Sequence, residues 1–127
     1  KKIKFLLDNN TDTCNRVSSN KIEKNVKEII VQVDTLTNIL KKQAINEIEY
    51  CKINIEGEEI NALHGIDLNQ IKIRKFCISA HDFMGPSTRT YDQVYSWLKK
   101  NDYSIKKFEP ELLDMFFKNY YIYGTKS

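Results

Sequence analysis

The sequence predicts an α/β fold with a mainly parallel sheet and flanking helices, and three observations carry that prediction. β-Branched apolar runs alternate along the chain with amphipathic segments. The strand-like runs EYCKINI and IRKFCISA are separated by more than the dozen or so residues that a parallel crossover needs, with a short helical pattern between them. The segment TYDQVYSWLKKNDY places Tyr91, Val94, Trp97 and Leu98 at helical spacing, the strongest periodic signal in the chain.

The elements follow in order. IKFLL, from Ile3 to Leu7, reads as a strand, and the polar stretch Asp8 to Glu28, rich in Asn, Thr and Ser, reads as a weakly structured loop. IIVQV, from Ile29 to Val33, is β-branched and apolar, hence a strand. TLTNILKK then sets Leu36, Ile39 and Leu40 on one helical face and puts Lys41 and Lys42 at the C-terminal end, where the helix dipole favours cations. EYCKINI is the next strand, EEINALHG a short helix closed by Gly65, and IRKFCISA a further strand. Together they form a βαβ unit whose connection is expected to be right-handed. Gly85-Pro86 marks a turn, and Thr90 with Gln93 forms a capping-box pattern before the strongest helix. SIKKFEP and NYYIYGTKS read as the last two strands, with ELLDMFFK between them open to helical turn and strand alike. The chain reads as a single domain, with 1–28 poorly defined strand and loop and 29–127 the α/β core.

Composition narrows the function. With 127 residues, 41% of them hydrophobic, the chain suits one domain that buries roughly two thirds of its unfolded surface. The net charge of +3, from 20 Lys and Arg against 17 Asp and Glu scattered along the chain, announces neither nucleic acid nor an acidic membrane surface. The tyrosines Tyr120, Tyr121 and Tyr123 have no basic stripe beside them in sequence, so strand packing explains them better than base stacking. No run approaches the roughly 18 apolar residues that span a bilayer, and KKIKFLLDNN is too short in its apolar part for a signal peptide. Cys14, Cys51 and Cys77 are odd in number and far apart, which fits buried thiols in a reducing, cytoplasmic setting better than disulfides or zinc. No His, Asp and Glu set recurs at metal-ligand spacing. The opening on Lys1 rather than Met suggests a processed product, a trimmed chain or an excised piece of something longer.

In parallel sheets ligands bind beyond the carboxyl ends of strands. Asn54 and Glu56 stand where the first strand of the βαβ unit ends, and Gly57 frees the backbone to turn. Two readings are open: these residues line a site, or Asn54 caps the following helix and Glu56 lies in its first turn. His81, at the end of KFCISA and followed by Asp82, is the best general-base candidate, since imidazole titrates near neutral pH; a histidine bonded to nearby backbone is the competing reading. His64, late in the short helix, reads as a surface residue. Arg89, with Ser87 and Thr88, falls at the N-terminus of the strongest helix, a place suited to an anionic group, although Gly-Pro-Ser-Thr is also plain turn chemistry.

The segments VDTLTNIL, CKINIEGEEINALHG, IRKFCISAHDF and TYDQVYSWLKKNDYSI, in that order and spacing, resemble the C-terminal half of FkbM-type S-adenosylmethionine-dependent methyltransferases. The matching residues are Thr35-Leu36, Glu56, Gly57, Glu59, Leu63 and Gly65, and the resemblance runs from about Ile29 to the C-terminus. It implies a Rossmann-like fold and S-adenosylmethionine as cofactor, with Asn54, Glu56 and Gly57 beside it. It also implies Glu56 and His81 in catalysis and Glu59 toward a small-molecule methyl acceptor; Arg89, from its place at the helix N-terminus, is the candidate contact to the same acceptor, while ligand spacing, charge and the apolar runs lead to no metal, nucleic acid or membrane partner. Three departures stand out: Asn54 replaces a family Asp, Thr37 replaces the Asp after Thr-Leu, and the glycine-rich first loop has no counterpart among Gly57, Gly65, Gly85 and Gly124. In the family the strand that ends in this motif is central to the sheet, so here it would be an exposed apolar edge. That edge would call for the missing N-terminal half or for a second copy across a two-fold axis. Two function classes result: part of a methyltransferase acting on an oxygen or nitrogen nucleophile, or a degenerate, non-catalytic binding or scaffold module.

Overall fold

The computed structural model describes residues 2–8, 16–17, 26–81, 90–108 and 119–126. The chain divides into two compact units, Lys1–Asp34 and Thr35–Ser127. The strand around Ile29, assigned from sequence to the α/β core, therefore belongs to the first unit.

That first unit is a small antiparallel sheet in the order β2-β1-β3, with β1 at Lys2–Asp8, β2 at Arg16–Val17 and β3 at Val26–Gln32. Ile3 pairs with Val31 and Phe5 with Ile29, so the half-buried apolar side chains share one face. The other face carries Lys4 and Glu28, which meet at 3.0 Å. The polar stretch read as loop thus contains β2 and the start of β3. Its period-2 signal is diluted by Asn and Lys, and only pairing with β1 organises it.

The second unit begins with α1 (Leu36–Lys42), β4 (Glu47–Ile53), α2 (Glu59–His64) and β5 (Lys72–His81), and continues with α3 (Thr90–Lys100), β6 (Ser104–Phe108) and β7 (Asn119–Thr125). Its sheet has the order β4-β5-β7-β6. β4 and β5 pair in parallel around α2, as the βαβ spacing predicts, with Ile53 opposite Ile78. The other two pairings, β5 with β7 and β6 with β7, are antiparallel. A mainly parallel sheet is therefore not what forms: β7 inserts between β5 and β6 and runs against both. The sheet is mixed.

Phe76 sits at the middle of the core. The ring of Trp97 meets it edge-on at 5.8 Å and that of Tyr103 at 5.3 Å, the preferred geometry for rings whose faces are negative and edges positive. α3 lays Val94 and Leu98 on this layer, both fully buried. A Cβ at Gly124 would stand 2.9 Å from Leu98 Cδ2, so the glycine on β7 is what lets α3 lie this close. The Tyr103 hydroxyl donates to the Ile73 carbonyl at 2.7 Å.

α1 is tied on by polar contacts. Thr35 is its N-cap, its hydroxyl accepting from the Asn38 amide at 3.2 Å. Thr37 is buried and its hydroxyl donates to the Gly65 carbonyl at 3.2 Å while accepting from the Asp67 amide at 2.8 Å. One hydroxyl thus joins α1 to the turn between α2 and β5. Replacing Thr37 with Val keeps the shape and removes both bonds, so unfolding free energy should fall by about 1–3 kcal/mol in urea titration; an unchanged midpoint would show that the bridge contributes nothing.

Burial pushes the Tyr103 hydroxyl up to about 12, from an ordinary value of about 10. Its contribution to stability is complete below about pH 10 and is lost as the pH rises toward 12. Tyr103→Phe should be less stable than the wild type at pH 7 by about 1 kcal/mol. That deficit should shrink in urea titrations between pH 10 and 12, because the variant has no phenol to ionise.

Candidate functional site

β4 ends at Ile53, and Asn54 and Ile55 follow with exposed side chains. The backbone then turns through two left-handed residues, Glu56 at φ 54° and Gly57 at φ 100°. Glycine takes that conformation freely, whereas a residue with a Cβ pays about 1–2 kcal/mol for it. Strain of this kind persists only where surrounding structure over-determines it.

Glu59 supplies the determination. Its residue is fully buried at 0% exposure, and its Oε1 accepts from the Ile55 and Gly57 backbone amides, each at 3.3 Å. A carboxylate in the first turn of α2 therefore folds back over the chain that precedes the helix and holds the turn shut. The N-cap of α2 is Glu58, which makes no side-chain cap bond, and its carboxylate accepts instead from Asn61 Nδ2 at 2.6 Å. Asn54 as cap and Glu56 in the first turn are thus not the arrangement seen: both precede the helix. Glu59, which the resemblance places toward the methyl acceptor, faces inward onto backbone.

The βα turn gathers Asn54, Glu56 and Gly57 at one carboxyl strand end, with the Glu59 carboxylate beneath them. On the neighbouring strand His81 closes β5, its Cα opposite Asn119. Arg89, with Ser87 and Thr88, lies outside the described residues. His64 is exposed in the last turn of α2. Cys51 and Cys77 are free thiols, and burial pushes the Cys51 thiol up; Cys14 lies outside the described residues. Among the described residues no three His, Cys, Asp or Glu side chains gather into a metal site. No helix among them is long and apolar enough to cross a membrane.

The methyltransferase FkbM domain is the family whose pattern the chain matches, over residues 2–105. The chain belongs to that family. The match takes in the first unit, where reading from sequence began the FkbM resemblance only at about Ile29, and it stops in β6. The FkbM turn at Glu56-Gly57 and its Glu59 carboxylate fall well inside it. No curated protein and no solved structure matches the chain.

Thr37 was legible only as a departure from the FkbM pattern, and its bridging hydroxyl had no local signal, because its partners lie 28 and 30 residues away. Glu59→Ala leaves two turn amides without their acceptor and opens a space in the interior, and should cost roughly 2–4 kcal/mol by thermal or urea unfolding. Glu59→Gln keeps an acceptor oxygen at the same place and should cost less than half as much. Equal losses in the two variants would mean that the carboxylate does not act through those amides.

Proposed function

We propose that the chain forms part of an S-adenosylmethionine-dependent methyltransferase acting on an oxygen or nitrogen nucleophile of a small molecule. The carrying observation is the left-handed Glu56-Gly57 turn at the carboxyl end of β4, held by the buried Glu59. Strain kept in place by a buried carboxylate, at the end of the sheet where ligands bind, is the signature of a positioned site.

The residues present fit the cofactor in kind. Asn54 is exposed and offers both a donor and an acceptor, Glu56 offers a carboxylate to hydroxyl groups, and Gly57 lets a ligand approach the backbone closely. Bound there, S-adenosylmethionine would supply an electrophilic methyl group. The chain's own part is positioning: Asn54 and Glu56 hold and orient, and Glu59 keeps their turn rigid rather than touching the methyl acceptor. His81 takes the proton that the nucleophile gives up, with the Glu56 carboxylate as the second catalytic group at the same end. Arg89 belongs to the methyl acceptor's side. The glycine-rich cradle for the cofactor comes from an N-terminal half outside residues 1–127, whose glycines stand apart at positions 57, 65, 85 and 124. The reaction belongs in a cytoplasmic, reducing setting, which suits the free thiols.

A second reading is favoured by one specific residue: an amide at Asn54 where the family has a carboxylate fits a non-catalytic binding or scaffold module. Titrating S-adenosylhomocysteine into the chain while following amide resonances separates the two. Under the methyltransferase reading the signals of residues 54–57 shift saturably. Glu56→Gly then abolishes the shift while raising stability by about 1 kcal/mol through relief of the left-handed strain. No shift at these residues at millimolar ligand would support the non-catalytic module.

A further inference from the structure

A cavity lies at the amino end of the parallel strand pair, the end away from the turn at residues 54–57. Its volume is about 160 Å³, and Leu68, Ile71 and Tyr103 line it together with the cations Lys72 and Arg74 from the start of β5 and Lys126 from the end of β7. Strand register brings the last two side by side: Thr125 pairs with Lys75, and the Lys126 amide donates to the Arg74 carbonyl at 2.8 Å. Three positive side chains from two strand ends thus surround one hollow.

The three cations differ in what already satisfies them. Arg74 Nε reaches Glu47 at 2.6 Å and Glu49 at 3.4 Å, and Lys72 reaches Glu47 at 4.0 Å. Lys126 forms no ion pair among the described residues. Its Nζ donates to the Asn101 carbonyl at 3.0 Å and stands 5.4 Å from the centre of the Tyr103 ring, which leaves ammonium donors for a further acceptor. The Tyr103 hydroxyl is committed to the Ile73 carbonyl at 2.7 Å, so what this residue offers a ligand is its ring.

Size and chemistry together narrow what fits. An apolar cavity of about 150 Å³ takes a molecule the size of benzene, so there is room for one small ring or a short chain and none for a nucleotide. A bare inorganic anion would use the cations and leave the apolar wall wet, whereas a neutral hydrocarbon would leave Lys126 without a counter-charge. We infer that this cavity binds a small organic carboxylate of about benzoate size, its apolar body against Leu68, Ile71 and Tyr103 and its carboxylate held by Lys126, with Lys72 and Arg74 adding positive field. The inference uses only the amino end of the strand pair and does not depend on the methyltransferase reading.

The test follows the backbone amide resonances of Arg74, Tyr103 and Lys126 in the full chain as sodium benzoate is added, with benzylamine and inorganic phosphate compared at equal ionic strength. Benzoate should shift these amides saturably with a dissociation constant of about 1 mM, within reach of so small a ligand. Benzylamine, the same ring with the opposite charge, should not bind, and phosphate, a charge without the ring, should bind at least about tenfold more weakly. Lys126→Gln should weaken benzoate by about tenfold, while Lys126→Arg, which keeps the charge, should retain most of the affinity. Lys52→Gln, at the other end of β4, should leave it unchanged. Lys126 and Lys52 are both exposed, and circular dichroism checks that each variant keeps the fold. No saturable shift at tens of millimolar benzoate, equal binding of benzylamine, phosphate binding as tightly as benzoate, or equal losses in the Gln and Arg variants each overturn the inference. Benzoate shifts at residues 54–57 in place of these overturn it too, and would put the carboxylate at the βα turn.

Discussion

The second unit is organised around a carboxylate that it buries. Glu59 is taken wholly out of water, where an unsatisfied charge is costly, and part of what compensates it is the pair of amides at Ile55 and Gly57. Those amides cannot both reach Oε1 unless the chain turns sharply between β4 and α2, and the turn requires left-handed φ at Glu56 and Gly57. The same bonds thus set the direction in which Asn54, Ile55 and Glu56 leave the sheet, the entry angle of α2, and the strain stored at the strand end.

Around that point the fold is consistent at several levels. Thr37 bolts α1 to the far end of α2 through Gly65 and Asp67, so the short helix is held at both ends, by a carboxylate at one and a hydroxyl at the other. A six-residue helix is too short to persist on its own propensity, and here it does not have to. Below it the aromatic group of Phe76, Trp97 and Tyr103 and the close approach of Leu98 to Gly124 give α3 and the sheet a rigid contact. The edge strand β4 is protected in a different way: its Glu47 and Glu49 reach Arg74 and Lys75 at 2.6 Å. Exposed pairs of that kind add little to stability, but charges along an edge oppose pairing with a stray strand. The edge is therefore less apolar than its place in the family's sheet would suggest.

Much of the architecture could be read from residue order because its signals are local. Alternation in EYCKINI and IRKFCISA, helical spacing from Tyr91 to Leu98, and the Thr35 cap each lie within a few residues, and the parallel pairing of β4 with β5 follows from the length of their connection. What could not be read depends on neighbours distant in sequence. Nothing in NYYIYGTKS says that it enters between β5 and β6, so the expected mainly parallel sheet became a mixed one. Nothing in the polar stretch before Val26 says that Phe5 will find Val17 and Ile29. Strand register sets Lys52, Cys77, Tyr123 and Lys106 in one row across four separate strands, which is why the tyrosines looked unaccompanied. At the site, Glu56 and Gly57 were visible as a motif at a strand end, whereas the inward turn of Glu59 was not: a carboxylate in a first helical turn has the same spacing whether it faces water, a ligand or the backbone behind it.

The most direct measurement of this account is amide hydrogen exchange at Ile55 and Gly57, read residue by residue in the native chain and in Glu59→Gln. If the buried carboxylate holds the turn, both amides exchange far more slowly than in an unstructured peptide, and both lose part of that protection together when the charge is removed. Exchange of either amide at the unprotected rate in the native chain would contradict it, because the turn, the strain and the placement of Asn54 and Glu56 would then rest on something other than Glu59.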